Sequence, residues 1–192
     1  MPRRTSTDDI VDRRVQRTRN ALRSALMDLM VERGWDAIDV QTLCDRADIG
    51  RSTFYQHYSN KEELLKQNFA GLRDALLVHA SQRGTRSQIG FVWPLLEHVH
   101  EFQAVFRALI GRRSGHYVQD RFRELLVELV QAGQSRPARR PGSWQVEARA
   151  HYLAGALFEM LVWWLGSNRP HRPQEIWEVF EQWSQSVPAA QG

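Results

Sequence analysis

The sequence predicts an all-α chain in which a long helix joins a small N-terminal three-helix domain to a larger C-terminal helical domain. Three observations support this. Apolar residues recur at three-and-four spacing along much of the chain, which is the period of an amphipathic helix. Cap and turn residues divide residues 39–61 into short helices. Two strongly amphipathic runs near the C-terminal end are typical of major helices in a second domain.

The N-terminal domain is predicted to begin with a helix at residues 21–34, for which Gly34 is a natural C-terminal stop. A short helix at residues 40–47 follows, and Asp39 is placed to cap its free N–H groups. The apolar residues that mark the buried side of the first helix are Leu22, Ala25, Leu26 and Leu29.

A turn at residues 48–50 leads to a third short helix at residues 51–58, and either Asp48 or Gly50 can take the unusual backbone angles that such a turn needs. Phe54 is expected to enter the core. The other side chains of this helix are mostly hydrogen-bonding groups, whereas a merely solvated helix would carry more Glu and Lys. Such groups read base edges in the major groove. The pattern therefore predicts a helix-turn-helix that reads DNA, followed by a new helix start at residues 59–63.

These residues resemble the N-terminal domain of TetR-type transcriptional regulators. The resemblance covers about a quarter of the chain and includes the order Ser52-Thr53-Phe54-Tyr55-Gln56-His57-Tyr58 and the run 59–65. It implies a homodimeric DNA-binding regulator, commonly a repressor, that is released from its operator by a small ligand.

The resemblance also implies residue roles. It assigns phosphate contacts to Tyr55 and Lys61. It assigns contacts with base edges or nearby phosphates to Arg51, Ser52, Thr53, Gln56 and His57. From the residues alone, Gln56 and His57 are equally suited to bases, phosphate or solvent. Arg51 is either a guanine ligand, worth about 1–3 kcal/mol of discrimination, or a solvated charge.

Two positions depart from the family pattern. Asp48 stands where the turn usually has a glycine, and Asp39 replaces the usual cap threonine. The first departure leaves the turn geometry open. The second keeps the cap but places a negative charge near DNA, so we assign no phosphate contact to Asp39.

Composition agrees with a DNA-binding protein. The 192 residues carry a net charge of +4, which favours an anionic partner. Residues 1–14 are predicted to form a flexible basic arm that either follows the phosphate backbone or enters the minor groove, or else only aids solubility. The reading domain is placed at residues 15–62, and the regulatory and dimerisation domain at residues 63–188. No export signal or membrane span is visible, and the single cysteine, Cys44, fits a reducing cytoplasm.

The second part is predicted to contain a connecting helix that ends near Gly84, then helices at residues 87–101, 102–110 and 116–132. Pro94 is expected to kink or restart the first of these three helices. A mobile loop at residues 133–142 precedes the two amphipathic helices, at residues 150–165 and after Pro173.

Those two helices are expected to form a four-helix bundle with a second copy, as in TetR-like proteins. Trp163 and Trp164 are adjacent and so point in different directions, which places one in the core and one in solvent or under a partner. The predicted interface residues are Ala154, Leu157, Leu161, Trp164, Val179, Phe180 and Trp183.

The resemblance implies an inducer pocket in the central helices. If a pocket exists, its aromatic wall suits a largely apolar or planar ligand; otherwise these residues are ordinary core. The predicted lining residues are Trp93, Phe102, Phe106, Phe122, Tyr152, Phe158, Glu159 and Trp163.

Other functions have weaker support. No metal-ligand set or glycine-rich phosphate loop is recognisable, so we expect neither enzymatic activity nor a cofactor beyond the unidentified effector. The alternatives are a DNA-binding protein of low sequence specificity and a helical protein-protein interaction module.

Overall fold

The computed structural model describes residues 6–82, 88–111, 115–133, 144–167 and 171–186. Within these ranges the chain is helical and contains no strand, which confirms the predicted fold class. A 3-10 turn at Trp35–Ala37 follows the first helix. The helices are α1 Ser6–Arg33, α2 Val40–Ala47, α3 Arg51–His57, α4 Lys61–Gln82, α5 Val92–Glu101, α6 Gln103–Ile110, α7 Gly115–Ala132, α8 Trp144–Gly166 and α9 Pro173–Gln185.

The chain divides into two compact units, Met1–Asn68 and Phe69–Gly192. The boundary lies within α4, six residues later than the predicted start of the second domain at residue 63. In the first unit α1 packs against α2, and α2 packs against α3. Leu22, Leu26, Leu43 and Phe54 have no exposed surface and form its core. The predicted core thus forms without the polar side chains of α3.

The predicted flexible arm at residues 1–14 needs correction. Residues 6–14 are the first turns of α1, and residues 1–5 lie outside the described part of the chain. No glycine or proline interrupts residues 6–33, and the arginines and glutamine of this stretch are good helix formers. The basic charge of residues 6–14 was therefore not a sufficient reason to predict a flexible arm.

In the second unit α5 begins at Val92, five residues later than predicted. Pro94 lies in the first turn of α5, where its missing N–H leaves no helical bond unmade. The backbone of Phe102, with φ −113° and ψ 40°, separates α5 from α6. α8 begins at Trp144 rather than at residue 150. The predicted loop at residues 133–142 lies, after Gly133, outside the described residues.

Phenylalanine side chains fill the centre of the second unit, where α6 packs against α7 and α8. The ring of Phe122 lies 5.9 Å from that of Phe106, 6.2 Å from that of Phe158 and 5.9 Å from that of Phe69. All four side chains are buried. Phe106, Phe122 and Phe158 therefore pack against one another in the core, and their assignment to a ligand pocket stays a prediction.

None of the helices in the described ranges is both long and apolar enough to cross a membrane.

Candidate DNA interface

Asp39 caps α2 as the sequence predicts. Its Oδ1 accepts bonds from the backbone N of Thr42 at 2.7 Å and from the Oγ1 of Thr42 at 2.8 Å. The bond from the Thr42 backbone, followed by the bond from its hydroxyl, holds the pKa of Asp39 below its usual range. The Asp39 carboxylate is thus bonded to the first turn of α2.

The turn between α2 and α3 uses Asp48 for its unusual backbone angles. Asp48 has φ 52° and ψ 50°, in the left-handed region, whereas Gly50 is extended with φ −73° and ψ 148°. Aspartate tolerates the left-handed region better than most residues other than glycine. The turn is closed by a bond from Ile49 N to Cys44 O of 3.0 Å. Asp48 can therefore replace the family's glycine without loss of the turn.

α3 exposes most of the predicted DNA-contact residues. Phe54 is fully buried and Tyr58 is 4% exposed, so both pack inside the domain. Arg51, Ser52, Tyr55 and Gln56 are exposed, with Tyr55 at 51%, whereas Thr53 and His57 are partly buried.

Arg51 and Tyr55 interact one turn apart on α3. The Arg51 Cζ lies 5.9 Å from the centroid of the Tyr55 ring. A hydrogen bond with Tyr55 also raises the pKa of Arg51. The structure thus brings together two side chains that the sequence treated as separate contacts. Their contacts with DNA stay predictions.

Lys61 occupies a different environment from the one predicted. Its Nζ donates to the backbone O of Ile38 at 2.7 Å and of Trp35 at 3.1 Å. It also lies 4.5 Å from the centroid of the Trp35 ring. An ammonium has three donors, and two of them are used inside the domain. Lys61 therefore ties the 3-10 turn to the start of α4, and its predicted phosphate contact stays a prediction for the remaining donor.

An ion pair between α1 and α2, which the sequence did not predict, also braces this domain. The Arg46 Nη1 lies 2.9 Å from Glu32 Oε1, and the Nη2 lies 2.6 Å from Oε2. The bond from Arg46 lowers the pKa of Glu32. No local pattern indicates a pair that lies fourteen positions apart on two helices.

The start of α4 is capped as the residues 59–63 predict. The Asn60 Oδ1 accepts a bond from Glu63 N at 2.8 Å. The Glu63 Oε2 in turn accepts bonds from the backbone N and Oγ of Ser59. The bonds from the Ser59 hydroxyl and then its backbone lower the pKa of Glu63.

In the second unit α8 and α9 form an exposed apolar groove of about 550 Å³. Trp183 is 62% exposed, Tyr152 60%, Trp163 54% and Val179 37%. Ala156 and Met160 also line the groove and were not predicted. Tyr152, Ala156 and Met160 follow one another at intervals of four residues, so the helical period places them on the same side of α8. This period was the sequence signal that could have identified Ala156 and Met160 as groove residues. We call this surface the α8–α9 face.

Four of the predicted interface residues are buried inside the protomer and do not line this groove. Their exposed fractions are between 0% and 6%, so the structure places them in the protomer core. For Trp164 the indole Nε1 donates to the backbone O of His171 at 3.0 Å, which fixes the side chain inward. Of the two tryptophans, Trp163 is therefore the exposed one. The four are Ala154, Leu157, Leu161 and Trp164, whereas Phe180 is buried but lines the groove.

The remaining predicted pocket residues lie at several different places in the second unit. Tyr152 and Trp163 line the α8–α9 face. Phe102 is 42% exposed and lies 4.7 Å from the ring of His98. Glu159 is exposed, and its Oε1 lies 4.0 Å from Arg123 Nη2. Trp93 is partly buried in the first turn of α5.

Among the described residues, no group of three or more His, Cys, Asp or Glu side chains is arranged to hold a metal ion.

Fold and site together define a helix-turn-helix protein with a second, helical domain. The family model described as bacterial regulatory proteins, tetR family, matches residues 22–67. A crystal structure of a TetR transcriptional regulator from Streptococcus agalactiae 2603V is 25% identical, with a TM-score of 0.67, over 92% of this chain and 98% of that one.

Two curated relatives from Bacillus subtilis are uncharacterized HTH-type transcriptional regulators. YxbF is 25% identical over 90% of this chain, and YdeS is 36% identical over 27% of it. The matches span 46% of the length of YxbF and 26% of that of YdeS. Residues 22–67 thus match the TetR family of bacterial regulators, and the fold of most of the chain is similar to that of a TetR transcriptional regulator.

Proposed function

We propose that this protein is a homodimeric transcriptional regulator that binds a palindromic operator through α3 of each protomer. The observation that carries the proposal is the division of α3 into two sides. Phe54 is fully buried and fixes the helix to the domain, while Arg51, Tyr55 and Gln56 are exposed on the same short helix. A helix held in this way presents hydrogen-bonding groups to a major groove without loss of its own packing.

The α8–α9 face supports the choice of a second copy as partner. Large aromatic side chains are exposed along two adjacent helices, and contiguous apolar surface of this kind usually marks an interface. A Cβ added at Gly155 would meet no atom within 4 Å, so a partner helix has room to approach α8 there. One short reading helix also contacts too few bases to select a genomic site, whereas two related by a two-fold axis read two half-sites about 34–36 Å apart or a multiple of that.

The oligomeric state is tested by sedimentation velocity of the full chain. We expect a dimer at DNA-binding concentrations, and a monomer for Trp163→Glu/Trp183→Glu. Trp144→Glu is the matched control, because Trp144 is also on α8 and 71% exposed but does not line the groove. A monomeric native protein, or a double variant that sediments like the control, would exclude this face as the dimer interface.

Operator recognition is tested by selection of bound duplexes from a random DNA pool at near-physiological salt. The native protein is compared with Gln56→Ala/His57→Ala. The control, Gln67→Ala/His79→Ala, removes the same two side-chain types from exposed positions on α4. We expect a palindrome to be enriched by the native protein and the control, and not by the α3 variant.

The other outcomes separate the rival functions. Binding without enrichment, combined with a steep salt dependence, indicates a DNA-binding protein of low specificity. Absence of duplex binding even at low salt, with the dimer intact, indicates a protein-protein interaction module.

Repression, and release by a small apolar or aromatic ligand, are the finer parts of the proposal and rest on the family resemblance. A ligand acts by population shift when it binds a conformer with wrongly spaced reading helices more tightly than the DNA-competent one. Candidate ligands are tested by their effect on operator affinity. One that binds the protein but leaves that affinity unchanged is not the effector.

A further inference from the structure

A cavity in the second unit lies where α6 and α8 end. Its volume is about 670 Å³, within the range of about 300–1,000 Å³ that is typical of small-molecule sites. We call it the Arg107 pocket, and its lining includes Arg107, Ile110, Val162, Trp163, Leu165 and Gly166. Trp163 also lines the α8–α9 face, so the two surfaces meet at this side chain.

Arg107 holds a positive charge at a fixed place in this pocket. Its Nε donates to the backbone O of Leu165 at 3.0 Å, which ties the guanidinium to the end of α8. The two Nη groups make no hydrogen bond or ion pair within the described part of the chain, and no acidic side chain is among the residues that line the pocket there. Because a planar guanidinium binds the two oxygens of a carboxylate in a bidentate manner, the pocket offers such a group a ready partner.

The rest of the lining is largely apolar. Ile110 and Leu165 are only 3% and 7% exposed, and Val162 and the indole of Trp163 complete the wall. His171 stacks on Trp163, with the two rings 5.4 Å apart and inclined by 26°, and this contact helps to fix the plane of the indole. A flat aromatic surface beside one positive charge suits a planar molecule that carries a single negative charge. A phosphate dianion would need more donors than one guanidinium supplies.

We propose that the Arg107 pocket binds a small aromatic carboxylate, whose carboxylate pairs with the Nη groups of Arg107 and whose ring lies against Trp163. The inference deepens the proposed release by a ligand, since it names the chemical class and the place of that ligand, and in its regulatory meaning it rests on the proposed function. A bound ring would contact a side chain of the proposed dimer interface, which gives the ligand a direct route to the spacing of the two protomers.

Gly166 allows the pocket to be filled without a change at Arg107. A Cβ added there would meet no atom within 4 Å, so a larger side chain has room to enter the cavity. The φ of Gly166 is not in the left-handed region, and leucine is a better helix former than glycine. Gly166→Leu therefore blocks the pocket and keeps the bond between Arg107 and Leu165, which Arg107→Gln removes.

The test is isothermal titration calorimetry of the full chain, without DNA, with two probes of the same shape. One probe is 2-naphthoate, and the other is its neutral carboxamide, 2-naphthamide. The native protein is compared with Arg107→Gln and Gly166→Leu. Arg33→Gln is the matched control, since Arg33 is an exposed arginine at the end of α1 in the first unit. The helical circular dichroism spectrum confirms that each variant is folded.

We expect 2-naphthoate to bind the native chain with a Kd in the millimolar range or tighter. The carboxamide should bind about fivefold more weakly, the factor that an ion pair open to solvent contributes. Arg107→Gln should weaken 2-naphthoate by the same factor and leave 2-naphthamide unchanged, Gly166→Leu should weaken both probes, and Arg33→Gln neither.

Three results would overturn the proposal: no binding of 2-naphthoate, equal binding of both probes by the native chain, or 2-naphthoate binding that is unchanged in Arg107→Gln or Gly166→Leu. The last of these would place the probe at another site. Since the titration contains no DNA, a chain that binds 2-naphthoate as expected but selects no operator refutes the proposed function and not the Arg107 pocket.

Discussion

Replacement of Lys61 separates two roles for this residue. Lys61→Met keeps the length of the apolar stem but removes the ammonium that bonds to the carbonyls of Trp35 and Ile38. We expect the 3-10 turn and the start of α2 to open more readily, because both carbonyl bonds disappear at once. If Lys61 instead acts mainly as a phosphate ligand, the same change should weaken DNA binding and leave the free protein unaltered.

The magnitude follows from the local geometry. A hydrogen bond that involves a charged group contributes about 1.5–3 kcal/mol when well shielded. A cation over an aromatic ring adds about 0.5–1 kcal/mol at an exposed site. Because Lys61 is only partly buried, solvent screening reduces each contribution below these ranges, and we expect a total loss of about 2–3 kcal/mol. At about 1.4 kcal/mol for each factor of ten, this corresponds to amide exchange about 30- to 140-fold faster.

Hydrogen exchange read by mass spectrometry on peptides that cover residues 35–47 is the appropriate assay, because it reports opening of this region alone. The amide of Ile38, which bonds to Trp35 O at 3.1 Å, should respond most clearly. Lys66→Met is the control, since Lys66 is exposed five residues further along α4. Exchange at control rates in Lys61→Met, together with a smaller salt dependence of operator affinity, would refute the bracing role and favour a phosphate contact.

Three further predictions concern stability. Phe122→Ala should destabilise the chain by about 3–5 kcal/mol, because the ring is fully buried among other phenylalanines, and thermal unfolding measures the loss. If Phe122 lined a ligand pocket instead, the same substitution would destabilise the chain much less. Asp48→Ala should cost about 1 kcal/mol, because φ is 52° there, whereas Asp48→Gly should be neutral or stabilising in urea unfolding; equal effects would argue against a strained turn. The pKa of Asp39 is lowered in the folded chain, so the stability that its charge contributes is present above the unfolded value of about 3.9 and is lost as the pH falls through the lower folded pKa. Asp39→Asn keeps a cap but should lose this acid-dependent part when helical circular dichroism is followed against pH.

The helix-turn-helix was predictable because its signals are local. Asp39 caps α2 by accepting a bond from the backbone of Thr42, three residues later. Gly34, with a φ of 78°, ends α1. Such signals depend on neighbours in sequence and not on the rest of the fold. Pro94 shows the limit of this reasoning: its ring predicts a break or a restart, but only tertiary packing determines that α5 begins at Val92.

The α8–α9 face was predicted less well because α8 is apolar around most of its circumference. Its residues offer one stripe through Leu157 and Leu161 and another through Tyr152, Ala156 and Met160. Helical period alone does not show which stripe packs inward. Leu157 and Leu161 have no exposed surface, so the stripe assigned to a partner belongs to the protomer core. The adjacent tryptophans were informative for a different reason: two neighbours on a helix cannot both face the same side, and one of them had to remain exposed.

The polar bonds of the first unit bear on function because base readout depends on how accurately α3 is held. A unit of 68 residues has a modest core, which limits how well apolar packing alone can fix the angles between its short helices. The Arg46–Glu32 pair fixes α2 to α1, and Lys61 fixes the 3-10 turn to α4. Lys61 thereby connects elements on either side of α3, and neither brace uses a side chain on the exposed surface of α3. We accordingly expect loss of either brace to lower affinity for operator and nonoperator DNA with a larger effect on the operator, because only the operator requires correctly placed hydrogen bonds to base edges.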